Sequence, residues 1–170
     1  MTATDPSPAP PARAPGTGPR WQLAGFDMLD TRVLYELLRL RAEVFVVEQC
    51  CAFQDVDGLD PQALHLLGWH GGELVAYARC FPAGVAFAEA SIGRVVTRGS
   101  ARGAGWGHLL IAEAVRVVGA RWGRQPIRIG AQARLKKFYE GHGFADVGLP
   151  YVEDGIDHIE MVWMPGPLPT

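Results

Sequence analysis

The sequence predicts a mixed α/β (α+β) domain in which a single sheet carries helices on both faces. Two apolar runs flank Gly71-Gly72, which is a strong hairpin signal and indicates antiparallel strands. Two longer segments, 31–47 and 110–122, repeat their apolar residues at helical spacing. The second half of the chain alternates strand, helix, strand, helix and strand, so helices are expected to cover both faces of the sheet.

The first half is predicted to hold one short strand, one helix and one loop before the hairpin. The strand covers residues 21–26. The helix is capped by Asp30 or Thr31 and extends to about Val47, because its apolar residues fall on one face. Residues 50–62 carry closely spaced Asp, Gly and Pro residues, which favour a loop.

The hairpin leads into a longer strand and the second helix. The hairpin strands cover 65–70 and 73–81, and the longer strand covers 87–97, where Gly93 allows a β-bulge. The second helix ends at Gly123, because glycine favours the left-handed conformation beyond a helix.

Three further strands and a short helix complete the prediction. The strands cover 127–130, 144–147 and 158–164. The helix covers 135–142, and Gly143 ends it.

Both ends of the chain differ in composition from the middle. Six prolines lie in residues 1–19 and three in 165–170, which together make nine of the 13 in the chain. Neither segment has an apolar run. We therefore predict disordered tails on either side of one folded unit at 20–164.

The composition favours a cytoplasmic protein without membrane or nucleic-acid contacts. The 170 residues are 48% hydrophobic, with a net charge of −2 that arises from mixed signs. No apolar run approaches the roughly 18 residues of a membrane span, and the first residues do not resemble a signal peptide. Cys50, Cys51 and Cys80 suit buried, reduced thiols better than disulfides. No metal-ligand spacing is present, so no metal site is predicted.

A glycine-rich turn is the most informative functional motif. Arg102-Gly-Ala-Gly-Trp-Gly107 follows the β-rich run 92–97 and opens the second helix. Glycine accepts positive φ and lets a ligand approach the main chain, while the first turn of a helix offers unpaired N–H groups and a positive dipole end. The motif favours a diphosphate-binding site. The alternative is an ordinary helix start whose glycines only permit a tight connection.

The chain resembles the GNAT superfamily of acyl-CoA-dependent N-acetyltransferases, and within it the ElaA subfamily. Arg102-x-x-Gly105-x-Gly107 is similar to the superfamily's coenzyme A pyrophosphate loop. Residues 135–144, Leu-Lys-Lys-Phe-Tyr-Glu-Gly-His-Gly-Phe, resemble its second motif, in which a helix carries a tyrosine before a Gly-Phe turn. The strings similar to ElaA are 44–49, 92–96, 131–133 and 153–159. The resemblance implies a mixed, mostly antiparallel sheet of about seven strands, splayed at its middle, where acetyl-CoA lies.

The resemblance also implies which residues hold acetyl-CoA as the co-substrate. The amides of the glycine turn and Arg102 would hold the pyrophosphate, and the main chain of the preceding strand would pair with the pantetheine arm. The predicted coenzyme A contacts are Val95, Val96, Thr97, Arg102, Gly103, Ala104, Gly105, Trp106, Gly107, His108, Gln132 and Phe138.

Tyr139 is the predicted general acid. Attack of an amine on a thioester expels a thiolate, and a phenol with a pKa of about 10 is protonated at neutral pH and can donate a proton to it. The resemblance assigns this role to Tyr139, which stands where the family's tyrosine stands. The alternative is a core aromatic residue with its hydroxyl at the surface.

A base must also remove a proton from the amine. Glu89 and Glu48 are the first candidates, because Glu89 is placed on the strand that enters the splay and Glu48 lies in an ElaA-like string. Asp57, Asp154 and His158 are rivals. Bulk water is the remaining alternative.

The acceptor is predicted to be a primary amine of a small molecule or peptide, bound between the first helix with its loop and the segment before the last strand. The candidate contacts are Phe45, Glu48, Gln49, Asp57, Tyr151, Glu153 and His158. Their carboxylates would favour a cationic amine. The competing functions are a catalytically silent acyl-CoA-binding module and a nucleotide-phosphate binder. The protein is expected to be a monomer or a homodimer.

Overall fold

The computed structural model describes residues 18–166, which form one sheet of seven strands. The strands are β1 (Arg20–Gly25), β2 (Leu64–His70), β3 (Glu73–Phe81), β4 (Ala90–Thr97), β5 (Ile127–Gln132), β6 (Phe144–Glu153) and β7 (Ile156–Trp163). Their order across the sheet is β1-β2-β3-β4-β5-β7-β6, and every neighbouring pair is antiparallel except β4 and β5. The predicted mixed, mostly antiparallel sheet is confirmed. The predicted tails lie mostly outside the described residues.

Three α-helices accompany the sheet in the described chain. They are α1 (Thr31–Arg41), α2 (Trp106–Trp122) and α3 (Lys136–Glu140). Short 3₁₀ turns occur at Phe26–Met28, Asp60–Gln62, Gly99–Ala101 and Ala133–Leu135. None of the helices within residues 18–166 has the length and apolar character needed to cross a membrane.

The two long helices pack on opposite faces of the sheet. Ala76 and Tyr77 are successive residues of β3, so their side chains point to opposite faces. Ala76 belongs to a buried cluster with Leu110 of α2, whereas Tyr77 belongs to a second cluster with Leu37 of α1. The prediction of helices on both faces is therefore confirmed.

The first helix has the predicted cap and extent, but its second part is not α-helical. Asp30 is the N-cap, and its carboxylate accepts a hydrogen bond from the Val33 amide at 2.9 Å. The chain remains helical to Glu48, but Ala42–Glu48 forms a π-helical segment. Apolar spacing could not reveal this change, because the buried side of the segment still carries apolar residues. Such π-helical turns occur frequently at functional sites.

The predicted strand at 87–97 begins later than expected. β4 starts at Ala90, and the residues before it form a turn in which the Gly84 amide donates to the Phe87 carbonyl at 2.8 Å. Glu89 therefore precedes the strand and does not lie on it. The apolar side chains before Ala90 suggested a strand, but the local turn uses the main-chain groups that a strand would need.

The strand predicted at 144–147 was too short, because β6 continues to Glu153. A glycine and a proline would ordinarily weaken or end a strand there. Instead, the pairing register with β7 shifts between Asp146 and Pro150, and Gly148 takes a φ of 75°. β6 is at the edge of the sheet, where a proline without an N–H is tolerated.

The remaining predicted strands and the short helix agree with the structure to within two residues at each end. The cysteines agree less well. Cys51 and Cys80 are buried as predicted, but Cys50 is exposed, with a φ of 50°. It lies just after the π-helical segment, where the chain turns outward.

Candidate active site

The sheet opens between its two parallel strands. β4 and β5 pair only at Ala90–Ile127 and Ser91–Arg128, although β4 continues to Thr97. Beyond these two pairs, the facing edges of β4 and β5 have no partner strand in the described chain. The predicted splay at the middle of the sheet is therefore present.

A cavity of about 900 Å³ lies at this opening. We call it the central cavity. Its walls come from β4 and β5, the π-helical segment, the loop that follows it, α3, and the turn between β6 and β7. The volume falls within the range of roughly 300–1,000 Å³ that is common for small-molecule sites.

A β-bulge bends β4 where it leaves β5. Tyr77 pairs with Val96 and Arg79 pairs with Gly93, so three steps along β4 oppose two along β3. The extra residue follows Gly93, which places the bulge where the sequence predicted it. Arg94 lies in the bulge with a φ of 51°. This left-handed conformation costs a residue other than glycine about 1–2 kcal/mol.

The glycine turn (residues 102–107) ends at the N-terminus of α2. Gly103 and Gly105 have φ angles of 86° and 75°, and Gly105 caps the helix without any side-chain hydrogen bond. The first helical hydrogen bond from an amide is that of His108 to the Gly105 carbonyl, at 3.1 Å. The amides of 103–107 have no main-chain acceptor within the described chain. The turn therefore presents five successive free N–H groups at the positive end of the helix dipole.

A second, smaller cavity of about 320 Å³ lies against this turn and shares part of its wall with the central cavity. The shared residues are Thr97, Arg102, Gly107 and Phe138. Of the other predicted coenzyme A contacts, the central cavity is lined by Val95, Val96 and Gln132, and the smaller one by Gly103, Gly105, Trp106 and His108. Ala104 borders neither. The two cavities form one path from the glycine turn to the opening in the sheet.

Arg102 connects the glycine turn to the π-helical segment. Its guanidinium donates to both carboxylate oxygens of Glu48, at 2.6 and 3.0 Å, and to the Thr97 carbonyl at 3.2 Å. The hydrogen bond from Arg102 lowers the pKa of Glu48. Glu48 thus reaches the central cavity as predicted, but its carboxylate is already paired.

Tyr139 lies in α3 with its ring buried and its side chain on the wall of the central cavity. The ring meets those of Phe138 and Phe144 edge-on, at centroid distances of 5.1 and 5.8 Å. Burial raises the pKa of Tyr139 to about 12.

Glu89 is placed away from the central cavity. Both of its carboxylate oxygens accept from Arg128, at 2.7 and 2.9 Å, and this contact lowers the pKa of Glu89. Arg128 also donates to Glu160 at 2.7 Å. Glu89 is not among the residues that line the cavity. The structure does not bring it together with Tyr139.

The predicted acceptor residues do converge on the central cavity, whose lining includes Phe45, Glu48, Gln49, Asp57, Tyr151, Glu153 and His158. Asp57 is paired there, with Arg79 at 2.6 Å and Arg94 at 3.3 Å. Burial alone would raise the pKa of Asp57, but the hydrogen bonds from Arg79 and the Leu59 amide lower it.

The ends of β6 and β7 next to their connecting turn supply another part of the wall. The Tyr151 ring stacks on His158 at a centroid distance of 5.3 Å, and its hydroxyl lies over Gly130, where a Cβ would collide with it. Glu153 is largely exposed, 4.0 Å from Nε2 of His158. Gln132 donates to Gln49 at 3.0 Å, which connects β5 to the π-helical segment.

A buried ion network, formed by Arg41, Asp55, Asp57, Asp60, Arg79 and Arg94, underlies the acceptor side of the cavity and was not identified from sequence. Arg41 is completely buried and donates to Asp55 at 2.8 Å and to Asp60 at 2.7 Å. Arg79 donates to Asp60 at 2.9 Å. The only sequence signal was the close spacing of the three aspartates, which indicated a turn.

Residues 36–165 match a family model described as an acetyltransferase (GNAT) domain. The chain belongs to the GNAT acetyltransferase family. Among its relatives, the protein ElaA of Escherichia coli strain K12 is 42% identical over 143 residues, which cover 83% of this chain and 94% of ElaA. This GNAT acetyltransferase is therefore similar to ElaA along most of the length of both proteins, as its motifs predicted.

Solved structures agree with this assignment. The crystal structures of Escherichia coli ElaA and of an acyl-CoA N-acyltransferase from Pseudomonas aeruginosa each superpose with a TM-score of 0.79 at 40% identity, covering 85% of this chain and 99% of theirs. An aminoglycoside 6′-N-acetyltransferase complexed with coenzyme A superposes with a TM-score of 0.67 at 18% identity, covering 88% and 99%, and shows the shared fold. The family match and these structures together show that the chain is an acyltransferase.

Proposed function

We propose that this acyltransferase moves an acetyl group from acetyl-CoA to a primary amine of a small molecule or peptide, by direct attack in a ternary complex. The observation that carries the proposal is the continuous path from the free amides of the glycine turn to the opening between β4 and β5. One end of the path suits an anion and the other opens beside a protonated phenol.

The pyrophosphate of acetyl-CoA would accept hydrogen bonds from the free amides of the glycine turn, where the helix dipole also favours negative charge. The pantetheine arm would pair with the free main-chain edge of β4, as an added strand pairs with a sheet edge. The fold relative that was crystallised with coenzyme A supports this choice of co-substrate. The thioester would then lie in the central cavity near Tyr139.

In the chemical step, the neutral amine nitrogen attacks the thioester carbonyl carbon and forms a tetrahedral intermediate. The C–S bond breaks as the carbonyl reforms, and Tyr139 donates its hydroxyl proton to the departing sulfur. The proton lost by the amine passes to water or to a carboxylate of the cavity. Glu48 is better placed than Glu89 for that second role, because only Glu48 lines the cavity.

The test is a thiol-release assay with acetyl-CoA and a panel of amines, polyamines and peptide N-termini. We expect Tyr139→Phe to lower kcat by at least about tenfold while the Kd for acetyl-CoA changes little. Tyr35→Phe is the matched control, because Tyr35 is 68% exposed on α1 and does not line the cavity. Equal turnover of the two variants would reduce Tyr139 to a packing residue. Slow thioester hydrolysis that no amine accelerates would favour a silent acyl-CoA-binding module.

A further inference from the structure

The bulge in β4 is both the place where the sheet opens and a place where the backbone is strained. Arg94 is one of three residues other than glycine with a positive φ in the described chain. A left-handed residue that is not glycine persists only where its surroundings hold it, and such residues cluster at functional sites. Contacts with neighbouring groups must therefore hold Arg94 in this conformation.

Asp55 supplies most of those contacts, and Oδ2 of Asp57 accepts one more from Nη2 of Arg94 at 3.3 Å. Oδ1 of Asp55 accepts from Nε of Arg94 at 2.8 Å, and its main-chain carbonyl accepts from Nη2 of Arg94 at 3.3 Å. Its Oδ2 accepts from Nε of Arg41 at 2.8 Å, and the same carbonyl accepts from Nη2 of Arg41 at 2.8 Å. Asp55 therefore connects α1 to the bulge through both of its carboxylate oxygens. We call this arrangement the Asp55 bridge (Arg41, Asp55 and Arg94).

The residues of the Asp55 bridge are themselves held in place by burial and by further contacts. Asp55 and Arg41 are 6% and 0% exposed, so neither side chain has room to change its rotamer. Arg41 is also held by Asp60, and the Phe53 ring lies beneath the Arg94 guanidinium at 5.6 Å. Contacts with charged groups in a buried setting are stronger than the same contacts at the surface.

Resting on the proposed function, we infer that Asp55 and Arg94 are positioning residues for acyl transfer. The Asp55 bridge holds Arg94 in its left-handed conformation, which keeps the edge of β4 turned away from β5 and aligned for the thioester. Without the bridge, an ordinary side chain at position 94 favours an extended backbone, and the edge from Val95 to Thr97 changes direction. Misplacement of a reacting group by about 1 Å can cost about a hundredfold in rate.

A glycine at position 94 separates this role from direct contact with substrate. Arg94→Ala removes the bridge and leaves a residue that disfavours a positive φ, whereas Arg94→Gly removes the bridge and accepts a positive φ freely. We expect kcat to fall about a hundredfold in Arg94→Ala and to recover at least about tenfold of that loss in Arg94→Gly. The Kd for acetyl-CoA should rise by less than about tenfold in Arg94→Ala, where only the pairing of the pantetheine arm with β4 is disturbed, and by less than about threefold in Arg94→Gly, because the glycine turn still binds the pyrophosphate in both. Arg116→Ala, an exposed arginine paired with Glu113 on α2, should match the parent.

Asp55→Asn, made in the parent and in Arg94→Gly, completes the test. Asp55→Asn should lower kcat strongly in the parent and have little further effect in Arg94→Gly, since the bridge no longer holds the bulge there. Hydrogen exchange of the β4 amides gives a readout without turnover: it should change in Arg94→Ala and match the parent in Arg94→Gly. Equal losses of kcat in the glycine and alanine variants, or an unchanged exchange pattern in both, would overturn the inference. The parent could release thiol from acetyl-CoA at a rate that no amine increases, while hydrogen exchange still changes in Arg94→Ala and not in Arg94→Gly. That result would overturn the proposed function alone.

Discussion

Among single residues, Tyr139 combines a buried side chain with a place on the wall of the central cavity. Because burial raises the pKa of Tyr139 to about 12, the phenol keeps its proton well above neutral pH. A general acid is active only while it is protonated, so its activity is lost as the pH rises through that pKa. We expect kcat to rise with pH as the amine loses its proton and to show no falling limb up to about pH 10. A falling limb near pH 8 or 9 that persists in Tyr35→Phe and is absent in Tyr139→Phe would place the pKa of Tyr139 near that pH and contradict the raised value.

Arg102 and Glu48 provide a second prediction at the same scale. Arg102 is proposed to bind pyrophosphate, but without ligand it is paired with Glu48, so the two partners compete for one guanidinium. Both side chains are nearly half exposed, and pairs of this kind are worth about 0.2–1 kcal/mol. Glu48→Gln should therefore tighten the Kd for acetyl-CoA by at most about fivefold, and less at high salt. The Kd for acetyl-CoA is measured by calorimetric titration. Glu113→Gln, which breaks a similar pair with Arg116, is the control, and its Kd should equal that of the parent.

At the scale of elements, the glycine turn needs glycine at position 105 because of the backbone conformation there, and not because a side chain would lack room. A Cβ at Gly105 would meet no atom within 4 Å, but its φ of 75° is strained for any other residue. Gly105→Val should abolish acetyl-CoA binding and leave a folded protein that is less stable by about 1–2 kcal/mol. Gly119→Ala lies in the middle of α2, also without a close neighbour, and should bind normally and be more stable by about 0.5–1 kcal/mol. Normal binding by the valine variant would end the assignment of this turn.

Some elements of the fold follow from sequence patterns and others do not. Period and turn chemistry located the hairpin, α2 and the glycine turn, because these depend on residues close together in the chain. The patterns gave no sign that Ala42–Glu48 is π-helical, since that depends on how the segment packs. They ended β6 too early, because Gly148 and Pro150 are compatible with a strand only at the edge of a sheet.

At the scale of the whole molecule, the family motifs identified the fold and part of the cavity wall, but the buried ion network could not be predicted. Its contacts join residues 14 to 39 positions apart, such as Arg41 with Asp55 and Arg94 with Asp55. Nothing local in the sequence pairs these side chains. Pairing with arginines also changes the charge of the acceptor site. Asp57 is paired within the network and Glu48 is paired with Arg102, so both offer a cationic amine less free charge than their number suggested.

Buried His65 and Asp60 of the network make the stability of the molecule depend on pH in two stages. Buried His65 is bonded to Tyr77 and to the Asp60 carbonyl, and burial lowers its pKa, so the unfolded chain takes up a proton first as the pH falls below about 6.5. Burial would raise the pKa of Asp60, but the hydrogen bond from Arg41 lowers it below its ordinary value. The stability from Asp60 is therefore fully present above about pH 4 and is lost as the pH falls through its lower folded pKa.

Asp60→Asn tests the second stage. Because it leaves Arg41 and Arg79 without a shared carboxylate, we expect a loss of about 3–5 kcal/mol in the free energy of unfolding at pH 7. The loss should shrink as the pH falls below about 4, where the parent also loses its ionised carboxylate. Urea unfolding of both proteins at pH 7, 5 and 3, followed by tryptophan fluorescence, measures this difference. A constant difference at all three pH values would show that Asp60 stabilises the fold by packing and not by its charge.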